Sequence, residues 1–189
     1  FVVITISTGG LAMHGKDLEI PLKYGIMHTV GDSAGPGGWS RLLRNIPVFE
    51  QMAKKIERLS PDAVVLNYSN PMAGLTGVIS QVSDLRNAGL CHGLFGTYWM
   101  LERLLEVGEK DLSIRFGGIN QFFWIWDLKV RGEEGYQLLR KKMGGCSLDE
   151  ALDKSKSSLP SRGIDHLLCE ELFKEYGCIT FYVNICPAI

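Results

Sequence analysis

The apolar positions of the first hundred residues switch between continuous runs and helical spacing. Val2 to Ile6 is a continuous, β-branched run that stops at Gly9-Gly10, the signature of a parallel strand covered on both faces. Leu11 to Gly38 follows neither period, is rich in Gly and Pro, and reads mainly as a long loop. From Ser40 to Leu59, apolar residues recur at steps of three and four (Leu42, Ile46, Phe49, Met52, Ile56, Leu59), which predicts an amphipathic helix. Pro47 imposes a kink or a fresh start near Asn45, and Ser60-Pro61 stops the helix. Ala63 to Asn67 is a second buried strand, and Asn70-Pro71 opens the next helix with Asn as cap and Pro at its first position. That helix turns Leu75, Val78, Ile79, Val82 and Leu85 inward. Gly89 to Gly93 reads as a short strand ending in Cys91-His92-Gly93, and Gly96 to Val107 as a helix.

The order strand, loop, helix, strand, helix, strand, helix is that of a parallel α/β sheet. From Ile114 to Val130 the pattern changes. This stretch is aromatic and partly alternating, as in antiparallel strands of a second layer. Short helical pieces follow from Gly132 to about Tyr176. The boundary between the two parts is expected near residue 112, giving segments 1–112 and 113–189.

Composition adds limits. The 189 residues are 46% apolar and 22% charged, a globular balance. Twenty basic residues against 21 acidic ones give a net charge of −1, which leaves nucleic-acid binding by bulk charge without support. The longest apolar run, Asp62 to Tyr68, is too short to span a bilayer, and no segment has the layout of a signal peptide. Five cysteines without a C-x-x-C pair argue against a disulfide framework and for a reduced, cytoplasmic compartment. The chain opens on Phe1 inside an apolar run, so a piece of a longer protein is expected.

In open α/β sheets, ligands bind beyond the carboxyl ends of the strands. Three such ends carry distinctive residues: Ser7-Thr8-Gly9-Gly10, Asn67-Tyr68-Ser69-Asn70-Pro71 and Cys91-His92-Gly93. Gly9-Gly10 serves either a plain turn or a close backbone approach to a cofactor. Asn70 is either a helix cap or an amide aimed at a ligand. Cys91 and His92 are either a buried thiol beside a capping imidazole, or a metal ligand beside an acid–base group. Asp32, in the glycine cluster Gly31-Asp32-Ser33-Ala34-Gly35-Pro36-Gly37-Gly38, serves either turn chemistry or the holding of a metal, a sugar hydroxyl or a catalytic partner. His14, His28 and His166 are expected at the surface. Cys146, Cys169, Cys178 and Cys186 show no partner logic.

Taken together, these segments resemble glycoside hydrolase family 4, the NAD- and metal-dependent glycosidases. The resemblance is carried by Val3 to Gly10, Gly31 to Gly38, Leu42-Leu43-Arg44-Asn45-Ile46-Pro47, Asn67 to Pro71, Gly89 to Gly93 and Gly118-Ile119-Asn120-Gln121-Phe122-Phe123-Trp124. It implies an α/β fold: an incomplete lactate-dehydrogenase-like Rossmann sheet, which binds NAD, and the start of an α+β substrate domain. It also implies redox elimination, an exception to two-carboxylate glycoside hydrolysis. NAD+ oxidises C3 of the sugar, a base takes the acidified C2 proton, a divalent ion (Mn2+) steadies the enediolate, and the C1 group leaves.

By the same resemblance, Cys91 and Gln121 hold the metal positions, His92 is a candidate general acid, and Asp32 tunes the base. Asn70 contacts substrate, and Ser7, Thr8, Gly9, Gly10 and Asn67 line the NAD site. The implied substrate is a small-molecule α-glucoside or α-galacturonide, and the Phe122 to Leu128 segment leans toward the latter. A homo-oligomer at full length is implied, with neither nucleic acid nor membrane as partner.

Three departures stand out. Gln121 occupies a position that is histidine in the family. The family's glycine-rich phosphate turn would lie upstream of Phe1. Cys178 to Ile189 lacks the expected polar segment, as a frameshift or truncated gene would produce, and the family's catalytic base would lie beyond it. The isolated chain is therefore expected to lack glycosidase activity. The alternatives are a 2-hydroxy-acid dehydrogenase of the lactate/malate type, which shares Asn-Pro at the second strand, and an inactive remnant.

Overall fold

A computed structural model describes residues 1–28, 30–155 and 166–182. The side chains of His166, Leu167 and Tyr182 also lie outside the described residues, as do Cys186 and the remaining tail. The chain divides into two compact units, the first Phe1–Cys91 and the second from His92 onward.

The first unit is a parallel sheet in the order β1 (Val2–Ile4), β2 (Val64–Asn67), β3 (Arg86–Gly89). Val3 pairs with Leu66, and Leu66 with Ala88. Its helices are α1 (Gly10–Leu22), α2 (Gly35–Leu59) and α3 (Met72–Val82). Ile4, Phe49, Ala53, Val65, Leu75, Ile79 and Leu85 form the core. The inward positions of the expected helices supply most of it, as the spacing requires.

Four expectations are corrected here. The Leu11 to Gly38 stretch is not mainly a loop, because α1 occupies its first half. That helix docks through a buried ion pair, Asp17 with Arg44, rather than an apolar stripe. Pro47 does not restart the helix; α2 runs 25 residues through it. Pro47 and Leu43, whose carbonyl loses its donor, both sit on the exposed side, where water can serve that carbonyl. The sheet is not covered on both faces: Ile4 is buried, but Val3 is 56% exposed and Ala88 is exposed. Cys91 and His92 lie past the end of β3, not within a strand.

The second unit opens with α4 (Gly93–Leu105) and a 3-10 turn (Glu109–Asp111). The antiparallel pair β4 (Leu112–Ile119) and β5 (Phe122–Val130) follows, as the alternation predicted. The remaining elements are β6 (Glu133–Glu134), α5 (Gly135–Met143), α6 (Leu148–Lys154), α7 (His166–Tyr176) and β7 (Thr180–Tyr182); β6 and β7 both pair with β5. The core joins Met100, Leu101, Leu104 and Leu105 of α4 to Ile125, Leu128 and Leu139. Packing thus assigns α4 to the second unit, ahead of the expected boundary at 112. The Tyr136 hydroxyl donates to the Ile125 carbonyl and accepts from Ile179 N–H at 3.0 Å. Burial pushes that phenol's pKa well up, because the phenolate would be left out of water. Cys169, which had shown no partner, is buried with its thiol on the Thr180 carbonyl at 3.1 Å.

Candidate active site

The carboxyl rim of the parallel sheet is knitted together by side chains. Beyond β1, Ile6 N–H donates to Ser69 Oγ at 2.8 Å, joining the first and second strand loops. Beyond β2, Tyr68 N–H reaches Ile4 O and Leu90 N–H reaches Asn67 O, so the ladder runs to the residue before Cys91. The three strand ends therefore converge on one rim, as the parallel order requires.

Ser7 to Gly10 closes a tight turn, with Gly10 N–H on Ser7 O at 3.2 Å. Gly9 and Gly10 both have positive φ, 86° and 58°. A Cβ on Gly9 would lie 2.5 Å from Met13 Cγ, whereas one on Gly10 would meet nothing within 4 Å. Ser7, Gly9 and Gly10 are exposed, and α1 begins there with no side-chain cap. An exposed glycine turn leading into an uncapped helix is open to close approach by an anionic or polyhydroxyl group. Thr8 is instead clamped: its hydroxyl donates to Asn45 Oδ1 at 2.7 Å, and its carbonyl accepts from Arg44 Nε at 3.0 Å.

Asp32 and Asn70, 38 residues apart, meet: Asn70 Nδ2 donates to Asp32 Oδ2 at 2.8 Å, and Ser33 Oγ donates to Oδ1 at 2.9 Å. The expected capping role of Asn70 is therefore corrected. Pro71 occupies the cap position of α3 after a cis Asn70-Pro71 bond, and the Asn70 amide is committed to Asp32. The loop bearing Asp32 is held close to α2. A Cβ on Gly37 would lie 3.0 Å from the Gly31 carbonyl oxygen, and one on Gly38 would lie 2.6 Å from Ser33 C.

Asn67 is 0% exposed and spent on its own turn. Its Oδ1 accepts from Ser69 N–H at 2.8 Å, and its Nδ2 donates to Thr76 Oγ1 at 3.1 Å. Its side chain shapes the β2–α3 loop.

Cys91 is exposed just beyond β3, and His92 is the exposed cap residue of α4 without a side-chain capping bond. Gln121 sits with Asn120 at the apex of the β4–β5 hairpin, between the paired Ile119 and Phe122, with φ of 62°. No group of three His, Cys, Asp or Glu capable of holding a metal occurs among the described residues. His28 is not at the surface: it is 9% exposed, and neither ring nitrogen has a hydrogen-bond partner among the described residues. Its ring packs against Gly35.

Three residues that sequence reasoning gave no role in the site lie on one face of α2. Arg41 Nε donates to the Asn70 carbonyl at 3.0 Å, and its Nη1 stands 3.5 Å from His14 Nδ1. Arg44 pairs with Asp17 at 2.5 Å, and Asn45 Nδ2 holds the Arg41 carbonyl at 2.8 Å. Burial alone would raise the Asp17 carboxyl, but the Arg44 guanidinium, Ser40 and His14 outweigh it and hold the pKa below its ordinary value. The available signal was polar residues at i, i+3 and i+4 on a helix that otherwise turns apolar residues inward.

This geometry has counterparts in known proteins. The model of the family described as Family 4 glycosyl hydrolase matches residues 1–107. An alpha-galacturonidase of Bacillus subtilis (strain 168) is 33% identical over 201 residues, covering 94% of this chain and 42% of its own length. The crystal structure of lplD from Bacillus subtilis superposes with a TM-score of 0.85 at 29% identity, over 96% of this chain and 44% of that one. A 6-phospho-alpha-glucosidase from gut microorganisms, in complex with NAD and Mn2+, gives 0.76 at 22% identity over 96% of this chain and 42% of that one. At that identity the likeness shows the fold alone. The chain spans 33% and 42% of the lengths of the first two curated relatives. No helix among the described residues is long and apolar enough to cross a membrane.

Proposed function

The chain belongs to glycosyl hydrolase family 4, and from that premise we propose that it supplies the cofactor- and substrate-facing rim of a glycosidase. The proposed reaction is NAD-dependent redox elimination on an α-glucoside or α-galacturonide. The observation that carries this reading is the Asp32–Asn70 pair, held at 2.8 Å on the carboxyl rim of a parallel sheet beside an open glycine turn. That is where an open α/β fold places its ligand.

The residues of the Ser7–Gly10 turn fit a dinucleotide, because backbone there can be approached without meeting a side chain at Gly10. Bound there, NAD supplies the hydride acceptor that activates the sugar. The chain's own groups do the rest of the positioning. Asp32, which already accepts from Asn70 and Ser33, has the further lone pairs to take a sugar hydroxyl. Asn70 holds that carboxylate in one orientation. His92 stands exposed at the start of α4, where its imidazole can carry a proton to a leaving group.

A divalent metal, Mn2+, is part of the proposal, with Cys91 and Gln121 as its protein contacts. Their chemistry is a poor fit by itself: one thiol and one neutral amide oxygen make a thin donor set, and the described residues contain no cluster of three. No step is assigned to the ion. The same reading places the protein in the cytoplasm and, at full length, in a homo-oligomer, acting on a small-molecule glycoside with neither nucleic acid nor membrane as partner.

The test is saturation-transfer NMR of the 189-residue chain with NAD+, followed by assay with an aryl α-galacturonide. NAD+ is expected to bind through the Ser7–Gly10 turn, and a Gly10→Val variant is expected to abolish the transfer. No aryl alcohol is expected from the chain alone, which spans less than half the length of the curated relatives it matches. Absence of NAD+ binding refutes the reading. Net NADH accumulation with a sugar or 2-hydroxy acid would instead assign the chain to dehydrogenase chemistry, since the proposed cycle is redox-neutral.

A further inference from the structure

Asn70 has a charged residue at each end. Its side-chain amide donates to the Asp32 carboxylate at 2.8 Å, and its main-chain carbonyl accepts from Arg41 Nε at 3.0 Å. Neither charge is neutralised: among the described residues, neither Asp32 nor Arg41 takes part in an ion pair. Arg44, one turn along α2, shows the contrast, because its guanidinium is spent on Asp17. Arg41 is half-buried and fixed by two contacts, the second with His14 Nδ1 at 3.5 Å. Among the described residues only Nε and one Nη1 hydrogen have partners, which leaves N–H groups on both terminal nitrogens for a ligand. A guanidinium held at a site rim, with donors to spare and no ion-pair partner among the described residues, is arranged for an anionic ligand group.

We propose that Arg41 is the recognition residue for a carboxylate on the sugar, so that this rim accepts a uronic acid glycoside. The proposal rests on the glycosidase reading above and deepens it. Two anions could satisfy a guanidinium here, a carboxylate or a phosphate ester. The carboxylate is favoured by charge count: one unpaired guanidinium balances one negative charge, and the neighbouring Arg44 is already committed to Asp17. A phosphate ester carries nearly two charges and commonly gathers more than one cation. Asp32, across Asn70, supplies the complementary function as an acceptor for sugar hydroxyls. A ligand bearing hydroxyls and one carboxylate matches both ends of the asparagine, and a neutral hexose matches only one.

The test is calorimetric or NMR titration of the 189-residue chain with galacturonate, galactose and glucose 6-phosphate, repeated with Arg41→Gln and Arg41→Lys. Galacturonate is expected to bind about tenfold more tightly than galactose, the size of effect that a charge-assisted bidentate contact gives. Arg41→Gln should erase that preference, bringing galacturonate down to the affinity of galactose for the same variant. Arg41→Lys should restore part of it, because an ammonium keeps the charge but not the planar fork. A circular dichroism melt of each variant checks that the loss is not unfolding, and the lysine variant keeps the test alive if the glutamine variant melts. Equal binding of galactose and galacturonate overturns the proposal while the glycosidase reading stands. Tighter binding of glucose 6-phosphate, lost in Arg41→Gln, overturns the carboxylate in favour of phosphate. Binding of NAD+ but of no sugar also overturns it, and failure of both NAD+ and sugars overturns the reading on which it rests.

Discussion

Arg44→Met is the substitution from which the fold of the first unit has most to lose. Arg44 makes four hydrogen bonds: to Asp17 Oδ1 at 3.1 Å and Oδ2 at 2.5 Å, to Thr8 O at 3.0 Å and to Ser40 Oγ at 3.4 Å. Asp17 is 2% exposed at the side chain and Arg44 17%, so the pair is largely out of water. Removing the guanidinium leaves a carboxylate buried in α1 without its cation, which costs about 3–5 kcal/mol. The partial exposure of Arg44 points to the lower end, about 3 kcal/mol, still a large share of a typical total of about 5–15 kcal/mol. Replacing both partners with apolar residues, Arg44→Met with Asp17→Leu, should recover most of that loss, because no charge is left stranded.

The sign of the pH dependence checks the cause. The Asp17 pKa is depressed in the folded chain, so its contribution is fully present above the ordinary carboxylate range and is lost as pH falls through the depressed value. In Arg44→Met, burial is opposed only by Ser40 and His14, the carboxyl shifts upward, and acid relieves the strain instead of adding to it. Urea denaturation followed by circular dichroism, from about pH 7 down to about pH 3 to bracket carboxylate titration, measures both effects. A loss below about 1 kcal/mol, the level of a surface pair, or an unchanged pH dependence would refute the account of how α1 is docked.

Three further outcomes are expected. Gly10→Ala should cost about 1 kcal/mol for its left-handed backbone alone. Gly9→Ala should cost about 1–3 kcal/mol more, because its Cβ would lie 2.5 Å from Met13 Cγ; parallel thermal melts rank the two, and equal losses would contradict the packing. His28→Leu should stabilise the chain by about 1 kcal/mol, since neither nitrogen of the buried imidazole is bonded among the described residues; a lower melting temperature would mean that the ring has a role its packing does not reveal. Gln121→His, in a full-length background, should raise Mn2+ affinity in a competition titration, because imidazole is a far better ligand than an amide oxygen; unchanged affinity would sink the assignment of that position.

Local spacing was enough to name most elements and their order, α1 excepted. The continuous run Val2 to Ile6, the three-and-four spacing of Leu42 to Leu59 and the alternation around Phe122 to Trp126 each carry one period of backbone geometry. Glycines and prolines marked where the strand ends open into loops, and the order of six short motifs pointed to the family. What spacing could not supply was any property made between distant residues. Helix α1 carries no apolar stripe and is held by an ion pair formed 27 residues apart, Asp17 with Arg44, so periodicity read it as loop. Asn70 looked like a cap because Asn before Pro usually is one; only the folded chain shows its amide given to Asp32. Asn67 stood in the sequence as one residue of a motif; only the fold shows its side chain buried and bonded across the β2–α3 loop. Arg41 had no motif at all, and its significance is a matter of which charges nearby are already paired. Local sequence encodes propensity and periodicity, whereas counter-charge, burial and the commitment of each polar group are decided only when the chain has closed on itself.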